Sequence, residues 1–479
     1  MQQYDVSKNK RKITLLVSYA AMTLAVIAIS AVCILLVLGY HFDFTNNRVE
    51  PGALLQLGSF PSGAQINLDG EQLSFNTPGK RDLTVGPHDI RFQKDGYREW
   101  TKHFTVSASE VRWLDYARLV PTTIATSSVK ELTSGPADEL PAPDNKRIIV
   151  LSKADTPVLT LLNLSDPKQL VETTITIPDT ALTLPTSSTH SYRLVEWSLG
   201  SKYLIVRHDF TSGSEYLRIN SNDPKDIVNI SSKFGVVLTD LHFSGDTVFY
   251  GVENGNLRRF DLGASSISEP IVRDIVSMKL YGSSDMAYVR HANAHYEVGV
   301  IFGGMTHLVS TYDDTTPLLV DVSQYYNEHY IAITRGASFE LIKNPERSAK
   351  DGMAKVITLS YPSDLKWLDI ASNGRFVIAG NGTQFMTYDI ELATRSDTNY
   401  PGVLSDSSIQ PQWLDDYTLV STADNKLRLS DFDGENQQII TDVLPSRAVM
   451  LSTDGKLLYS FAKTTSGVLS LQVSKMTTD

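Results

Sequence analysis

The sequence predicts an all-β protein with one transmembrane helix near its N-terminus, and three observations support this prediction. An apolar run of 26 residues lies close to the start of the chain. From about residue 54 onward, short alternating apolar and polar runs are separated by Gly, Pro, Asn and Asp turns, which is typical of strands. Later segments of this kind recur every 37 to 46 residues. At 479 residues, the chain is also long enough to require more than one core.

The apolar run, residues 13–38, predicts an uncleaved anchor in the lipid bilayer. It has no charged residue, and at about 1.5 Å per residue it exceeds the roughly 30 Å hydrocarbon core. A cleavable signal peptide has a shorter apolar region and a small-residue cleavage site, which the residues after 38 do not offer. Basic residues crowd residues 1–12, so the positive-inside rule predicts a cytoplasmic N-terminus and extracytoplasmic domains in a single-pass protein of the cell membrane.

Charge and cysteine content restrict the class of protein further. The formal net charge is −11, and residues 1–12 are positive, which leaves −14 for the remainder. An acidic chain is a poor partner for polyanions, so we expect no binding to nucleic acid. The one cysteine, Cys33, lies inside the apolar run. A large extracytoplasmic region without disulfides suits a bacterial-type envelope protein.

Residues 39–53 read as a linker, and residues 54–121 as a small β domain. Residues 64–69 alternate with period two, which places one face of a strand against a core. Asp69-Gly70 then predicts a hairpin, because both residues tolerate positive φ. Further turns are predicted at Thr77-Pro78, Gly86-Pro87 and Asp95-Gly96.

The order of these residues resembles the PEGA domain found in many bacterial and archaeal surface proteins. The matching positions are Ser59, Pro61, Gly63, Ala64, Asp69, Gly70, Thr77, Pro78, Gly86, His88, Gly96, Tyr97 and Trp100. Ser62 stands where the family name has its glutamate. The resemblance implies a small β-sandwich that acts as an envelope spacer and has no known catalytic residues.

Residues 122–140, rich in Thr, Ser and Pro, are predicted to be a second linker, and residues 141–479 a β-propeller. Repeats near 40 residues with several strands each are typical of propeller blades. We expect about eight blades, or seven if the terminal pieces combine into one. Residues 452–459 resemble the repeats of TolB-type and WD-type propellers. The repeat anchors, which we expect to pack between blades, are Trp197, Phe243, Leu280, Val322, Trp367, Trp413 and Leu451.

The usual catalytic and ligand-binding motifs are missing from the sequence. It has no G-x-S-x-G elbow, no Gly-rich phosphate loop and no H-E-x-x-H pair. We therefore predict no catalytic, cofactor-binding or metal-binding residue, and no cofactor. His291, His295 and Glu297 come nearest to a metal-ligand cluster, but they fall in a predicted strand-turn-strand segment and read as surface residues.

Three tyrosines in the fifth repeat, Tyr325, Tyr326 and Tyr330, form a candidate recognition surface, because aromatic clusters near loops are common in binding sites. The predicted function is that of a membrane-anchored, non-enzymatic cell-envelope protein. Its PEGA spacer and propeller platform would bind an unknown surface protein or glycan. The alternatives are a propeller hydrolase or lyase acting on cell-wall polymer, for which a carboxylate pair at the propeller mouth would be needed, and a purely structural surface component.

Overall fold

A computed structural model describes residues 3–37, 40–43, 48–132, 135–166, 169–184, 189–400, 410–464 and 466–478. The chain divides into two compact units. The first unit extends to residue 123 and includes Thr478, and the second extends from residue 124 to residue 477.

Helix α1 (Gln3–Val37) is the long helix of the first unit. Within the described residues it is the one helix that is long and apolar enough to cross a membrane, with a 21-residue segment, Thr14–Ile34, of mean hydropathy 2.2. The side chains of this segment are exposed all round the helix. The hydroxyls of Ser18 and Thr23 donate to backbone carbonyls four residues earlier, at 2.9 Å each. These bonds satisfy both hydroxyls within the helix itself.

Two four-stranded sheets make up the β domain of the first unit. Its strands are β1 (Tyr40–Asp43), β2 (Arg48–Phe60), β3 (Gln65–Leu68), β4 (Glu71–Asn76), β5 (Gly79–Thr84), β6 (Gly86–Gln93), β7 (Trp100–Val106) and β8 (Val111–Arg118). One sheet has the order β1-β2-β5, with β8 parallel to β2, and the other has the order β4-β3-β6-β7.

The core of this domain follows from the period-two alternation of its strands. On β7, every second residue from Trp100 to Val106 is buried. The rings of Phe92 and Trp100 lie opposite each other on β6 and β7 and stack with centroids 5.1 Å apart. Trp100 also meets Tyr116 edge to face at 5.9 Å. The predicted β-sandwich is therefore confirmed.

The expected linker at residues 39–53 requires a correction, because β1 and the beginning of β2 lie within it. Gly52 pairs with Thr84 of β5, and Pro51 with Tyr40 of β1. Pro51 and Gly52 favour a linker by residue type. A proline without a ladder donor and a flexible glycine are tolerated here because strands on both sides of β2 supply the remaining pairing.

Over its described residues, the second unit forms eight four-stranded sheets, numbered blades 1 to 8 in chain order. Its strands begin with β9 (Thr126–Leu132). Blade 1 has β10 (Asp138–Pro141), β11 (Arg147–Leu151), β12 (Val158–Asn163) and β13 (Val171–Thr176). Blade 2 has β14 (His190–Trp197), β15 (Tyr203–Phe210), β16 (Gly213–Asn220) and β17 (Ile227–Asn229). Blade 3 has β18 (Leu238–Gly245), β19 (Val248–Glu253), β20 (Asn256–Asp261) and β21 (Ser266–Ile267). Blade 4 has β22 (Ile275–Tyr281), β23 (Asp285–Ala292), β24 (His295–Phe302) and β25 (Met305–Tyr312).

The remaining blades follow the same plan. Blade 5 has β26 (Leu318–Tyr325), β27 (Glu328–Arg335), β28 (Ser338–Lys343) and β29 (Ala354–Ser360). Blade 6 has β30 (Trp367–Ile370), β31 (Phe376–Gly380), β32 (Gln384–Asp389) and β33 (Thr394–Asn399). Blade 7 has β34 (Gln412–Trp413), β35 (Thr418–Ser421), β36 (Lys426–Asp431) and β37 (Gln438–Asp442). Blade 8 has β38 (Met450–Leu451), β39 (Leu457–Lys463) and β40 (Leu469–Lys475), and β9 completes it. A short helix, α2 (Ile230–Phe234), and 3₁₀ turns at Asp179–Ala181 and Ala423–Asn425 lie among these strands.

The hydrophobic core of the second unit lies between neighbouring blades. Each large cluster of buried side chains joins two adjacent sheets, for example blades 1 and 2 around Trp197, or blades 5 and 6 around Leu368. First strands of successive blades contact one another, whereas fourth strands such as β33 alternate between exposed and half-buried residues. The first strands are therefore innermost and the fourth outermost. Trp197 and Trp367 are 7% and 5% exposed, in accordance with the predicted packing of the anchors between blades.

The ring closes through β9, which corrects the expected linker at residues 122–140. Strand β9 pairs antiparallel with β40, and Leu132 lies opposite Leu469. Blade 8 thus combines β9, which precedes blade 1 in the chain, with β38, β39 and β40, which follow blade 7. The described residues form eight blades rather than seven. The Thr- and Ser-rich composition suggested an unstructured segment, but an outermost strand is solvated on one face and suits such residues.

Candidate functional site

The turn between β26 and β27 carries the most exposed aromatic side chain of the propeller. Tyr326 is 76% exposed. It occupies the first position of a two-residue turn, since Tyr325 pairs with Glu328 across the hairpin. Its backbone φ is +51°, a conformation that favours glycine and asparagine over aromatic residues. The sequence therefore places a tyrosine in the turn at the expense of local backbone preference.

An ion-paired carboxylate holds the neighbouring tyrosine in place. The ring of Tyr325 meets that of Tyr326 edge to face, with centroids 4.6 Å apart. Burial, followed by a hydrogen bond with Glu391, raises the pKa of Tyr325. Arg375 pairs with Glu391 and also donates to both carboxylate oxygens of Asp389, at 2.9 and 2.7 Å. The exposed ring of Tyr326 thus packs against a tyrosine that is itself held by a hydrogen bond to an ion-paired carboxylate.

The third predicted recognition residue lies elsewhere. Tyr330 is only 7% exposed and belongs to the core between blades 5 and 6. It alternates in phase with buried Ala332 along β27, so its ring points into the core. We therefore remove Tyr330 from the candidate surface, which retains Tyr325 and Tyr326.

The PEGA-like residues form the turns and buried bonds of the first unit. Thr77 is buried, and its Oγ1 accepts a 2.9 Å hydrogen bond from the backbone N–H of Ala64. Ser59 Oγ lies 2.7 Å from the same hydroxyl. Asp69 and Gly70 have φ of +51° and +87°, as the predicted hairpin requires. The remaining positions shape loops and turns or fill the core: Pro61, Gly63, Pro78, Gly86, Gly96 and Tyr97.

His88 joins the Asp69 turn to the sheet. Its Nδ1 lies 2.7 Å from Asp69 Oδ2, and its Nε2 lies 2.9 Å from the carbonyl oxygen of Thr84. Burial opposes the charged forms, but these hydrogen bonds outweigh it, so the pKa of His88 is raised and that of Asp69 is lowered. The pair is thus a structural clasp within the domain.

Acidic and amide side chains on the innermost strands connect successive blades. Asp138 Oδ2 accepts from the backbone N–H of Leu194 in blade 2, at 2.8 Å, and Asp321 Oδ2 accepts from that of Ile370 in blade 6, at 3.0 Å. In further bonds of this type, the backbone N–H of Phe243 donates to Glu196, that of Ala448 to Glu139 and that of Val449 to Gln412. Much of the polar lining near the centre of the ring is therefore engaged in holding blades together.

Asp321 also lies near a second carboxylate. Burial raises the pKa of Asp321 to about 7, and the negative charge of Asp369 on the next innermost strand adds to that effect. Burial raises the pKa of Asp369 as well. The nearby Lys279 of blade 4 acts in the opposite direction on both groups. A carboxyl group that exchanges its proton near neutral pH is chemically suited to acid–base work.

Blade 2 contains a buried network that the sequence did not reveal. His208 and Glu215 face each other on β15 and β16 at 0% and 1% exposure, with His208 Nδ1 2.8 Å from Glu215 Oε1. His208 Nε2 lies 2.8 Å from Nδ1 of the half-buried His190. Glu215 also accepts from Asn229 Nδ2 at 2.7 Å and from the backbone N–H of Thr183 at 3.2 Å. Burial opposes ionisation of Glu215, but these bonds together lower its pKa.

The histidines considered as metal ligands do not converge. His295 Nε2 lies 3.1 Å from Glu297 Oε1, and Arg290 takes the other oxygen of that carboxylate at 2.7 Å. His291 instead meets the ring of Tyr296 edge to face. Among the described residues, no group of three or more His, Cys, Asp or Glu side chains could hold a metal ion.

Comparison with known proteins gives one family match, within the first unit, and structural similarity to several solved proteins. Residues 53–122 match the PEGA domain, and no curated protein matches the chain. The Dos1 propeller has 11% identity and a TM-score of 0.46, with 74% of this chain and 93% of that chain covered. An oligogalacturonate lyase from Vibrio parahaemolyticus has 12% identity, a TM-score of 0.37 and coverages of 68% and 99%. The Cps50 (Swd1) propeller of Myceliophteria thermophila has 9% identity, a TM-score of 0.40 and coverages of 67% and 100%.

Similarities at this level carry no argument about ligand or reaction, so the propeller assignment depends on the blades themselves. Four antiparallel strands in each blade, cores between neighbouring blades and closure by a strand from the opposite chain end are the properties of that architecture. The chain therefore contains a PEGA domain at residues 53–122, followed along the sequence by a β-propeller.

Proposed function

We propose that the protein is anchored in the cytoplasmic membrane by residues 13–38 and uses its propeller to bind a surface protein or glycan, without catalysis. In this proposal its N-terminus is cytoplasmic, and the PEGA domain and the propeller lie in the cell envelope. The PEGA domain acts as a spacer between the anchor and the binding platform.

The character of helix α1 supports the membrane placement. The segment Thr14–Ile34 is apolar, and none of its residues is buried by the protein. Its length corresponds to about 30 Å of helix, which matches a hydrocarbon core. The basic residues before it favour retention of that end in the cytoplasm.

The main support for the binding proposal is that Tyr326 is exposed and has a left-handed backbone conformation. A left-handed conformation costs about 1 kcal/mol for residues other than Gly, Asn or Asp. This cost is not offset by burial of the tyrosine ring, since 76% of the residue is exposed. Backbone outliers of this kind cluster at functional sites. Tyrosine is also among the residues that dominate binding interfaces, because its rigid ring loses little entropy when it is covered.

The test uses the full-length protein in lipid nanodiscs, applied to a glycan array and to immobilised envelope proteins. Binding of each retained ligand is then titrated with the wild type and with Tyr326→Asn. Asparagine suits the left-handed turn, so the variant should be as stable as the wild type or slightly more stable. We expect its affinity for the ligand to fall about tenfold or more, as for a central aromatic contact.

Leu199→Asn provides a matched control. Leu199 is 75% exposed and lies in the corresponding first turn of blade 2, between β14 and β15. The Leu199→Asn variant should bind the ligand with the same affinity as the wild type. Equal losses in both variants, or an unchanged affinity in Tyr326→Asn, would contradict a recognition role for the tyrosine.

A hydrolase or lyase acting on wall polymer is the second candidate, and the Asp321–Asp369 pair favours it. Polymer cleavage by two carboxylates needs one protonated and one ionised group, and a pKa of about 7 allows Asp321 to hold its proton. The full-length protein would be incubated with wall polysaccharide, and soluble fragments would be measured. Turnover that disappears in Asp321→Asn and Asp369→Asn but persists in Tyr326→Asn would establish the enzyme in place of the binding protein.

A further inference from the structure

The PEGA domain has a wide polar groove on the outer face of its β4-β3-β6-β7 sheet. The groove has a volume of about 550 Å³. The side chains that give it its chemistry are Gln65, Asn76, Gln93, Lys94, Asp95 and Glu99. Nothing in the spacer role of the domain uses this groove.

Three of these side chains form a row across adjacent strands. Gln65 of β3 lies opposite Asn76 of β4 on one side and opposite Gln93 of β6 on the other. Residues directly opposite each other point to the same face of a sheet. The next residues, Ile66 and Phe92, are fully buried, so the amide row faces outward. With strands about 4.8 Å apart, the row is about 10 Å long.

Glu99 extends and orients this row. Gln93 donates from its Nε2 to Glu99 Oε1, which leaves the amide oxygen of Gln93 free to accept in the groove. Neither Gln65 nor Asn76 makes a side-chain hydrogen bond to another described residue. Both are exposed and available to a ligand.

The wall beside the row contains one cation and one further anion. Lys94 lies across Gly63, where an added Cβ would be 3.3 Å from its Nζ, and Asp95 follows it in the turn after β6. Glu99 Oε2 also lies 3.7 Å from Nε of Arg91, so the charges of the groove and its rim, from Lys94, Arg91, Asp95 and Glu99, are balanced. This balance disfavours a polyanion, and the shortage of apolar surface disfavours a lipid or an apolar peptide.

Carboxamides match hydroxyl groups chemically. Each amide offers donors and an acceptor, and each sugar hydroxyl also donates and accepts. A row of such groups, flanked by charged side chains that strengthen hydrogen bonds, can bind several hydroxyls of one chain at once. We propose that this groove of the PEGA domain is a binding site for a neutral oligosaccharide.

The experiment uses the full-length protein in nanodiscs and three probes, chitotetraose, cellotetraose and maltotetraose, with trigalacturonate as the anionic counterpart. Dissociation constants would be measured by ligand-observed NMR or calorimetry. The double variant Gln65→Ala/Gln93→Ala removes two neutral hydrogen-bonding groups, so we expect a Kd at least about tenfold higher for the neutral probe that binds. Trigalacturonate should bind more weakly than the neutral probe.

Gln72→Ala is the matched control, because Gln72 is an exposed amide on β4 that does not line the groove. It should leave the Kd unchanged. Thermal unfolding would verify that all variants fold, which their exposed positions favour. Binding lost equally in the control, or a wild type that binds none of the three neutral probes, would overturn the proposal.

The same panel separates this site from the propeller site. A sugar that binds the double variant normally but no longer binds Tyr326→Asn would be a ligand of the propeller. That result would overturn the groove proposal and support the proposed function. Loss in the double variant with normal binding in Tyr326→Asn would assign the sugar to the PEGA groove.

Discussion

Asp240 and Asp321 occupy innermost strands of blades 3 and 5, yet the protein gives them opposite acidities. Burial opposes ionisation of both. For Asp240 the partner is His242, whose Nε2 lies 3.2 Å from its Oδ1, and this bond outweighs burial and lowers the pKa. For Asp321 the neighbour is a second carboxylate, Asp369, and the pKa rises to about 7.

The comparison shows that burial alone does not determine the charge of these groups. His242 lies between Asp240 and Glu196, whose Oε2 is 2.9 Å from its Nδ1. Although burial opposes it, these two partners raise the pKa of His242 to about 10. The cation of His242 thus keeps Asp240 ionised, whereas the blade 5 carboxylate near Asp369 retains its proton until about neutral pH.

Glu215 is a carboxylate that is almost completely buried. Its removal should have the largest effect on the free energy of unfolding. Glu215→Ala leaves His208, Asn229 and Thr183 without their shared acceptor. Loss of one partner from a buried pair costs about 3–5 kcal/mol. We expect a fall of that size in the free energy of unfolding, measured by denaturant titration. A fall below about 1 kcal/mol, as is usual for an exposed pair, would show that the network contributes little.

Asp321→Asn should have the next largest effect, and it should be stabilising. The folded-state pKa of Asp321 is about 7, above the ordinary 3.8. The unfolded chain therefore ionises first, and folding stability falls as the pH rises from about 4 to about 7. Asparagine removes this loss but keeps only one of two backbone hydrogen bonds, so we expect a net gain of about 2 kcal/mol at pH 8 and none at pH 4.

Asp240→Asn is the control for that measurement. Its carboxylate has a lowered pKa, so its contribution is present above about pH 4 and disappears in acid. The variant should be destabilised at pH 8, opposite in sign to Asp321→Asn. The same sign in both variants would contradict the comparison.

His242→Ala should have a smaller effect, because all three members of its cluster are partly exposed. We expect a loss of about 1 kcal/mol at pH 6. The folded-state pKa is raised, so the contribution of His242 is complete below about pH 6.5 and decreases as the pH rises toward 10. The difference between wild type and variant, followed by denaturation at several pH values, should shrink accordingly. A constant difference would mean that the ring packs there without charge.

Asp369→Asn is the mildest change. It removes the like charge next to Asp321, so the folded-state pKa of Asp321 should fall by a fraction of a unit, since burial is the larger cause of its rise. The loss of stability that Asp321 causes should therefore end at a slightly lower pH than in the wild type. An unchanged pH dependence would mean that the charge of Asp369 plays no part. The pH dependence of the unfolding midpoint measures this shift.

Local patterns predicted most of the fold. Alternation and the Asp69-Gly70 turn indicated the β-sandwich, and the spacing of anchors such as Trp197 and Trp367 indicated blades. Strand β9 was missed because its polar composition suits both a linker and a solvated outermost strand. The burial of Tyr330 could have been inferred because it lies two residues before the apolar Ala332 on β27. Residues two apart on a strand point to the same face.

The site chemistry was harder to predict because it depends on pairing between strands. His208 and Glu215 are seven residues apart, and only the register across the turn at Thr211 and Ser212, with Phe210 opposite Gly213, makes them partners. A Gly-containing hairpin signal with two ionisable residues placed symmetrically about it was the available clue. The Asp321–Asp369 pair belongs to different blades and has no local signal.

Closure of the propeller by β9 also has a consequence for biosynthesis. The ribosome makes β9 before any blade, but its partner β40 is the last strand of the described chain, with Leu132 opposite Leu469. Pairing over such a separation is slow, and until it occurs β9 has an open edge. Cores between neighbouring blades can form in chain order while the chain emerges. We expect completion of the ring to be the final step of maturation, so that a truncated chain remains recognisable to proteases as unfinished.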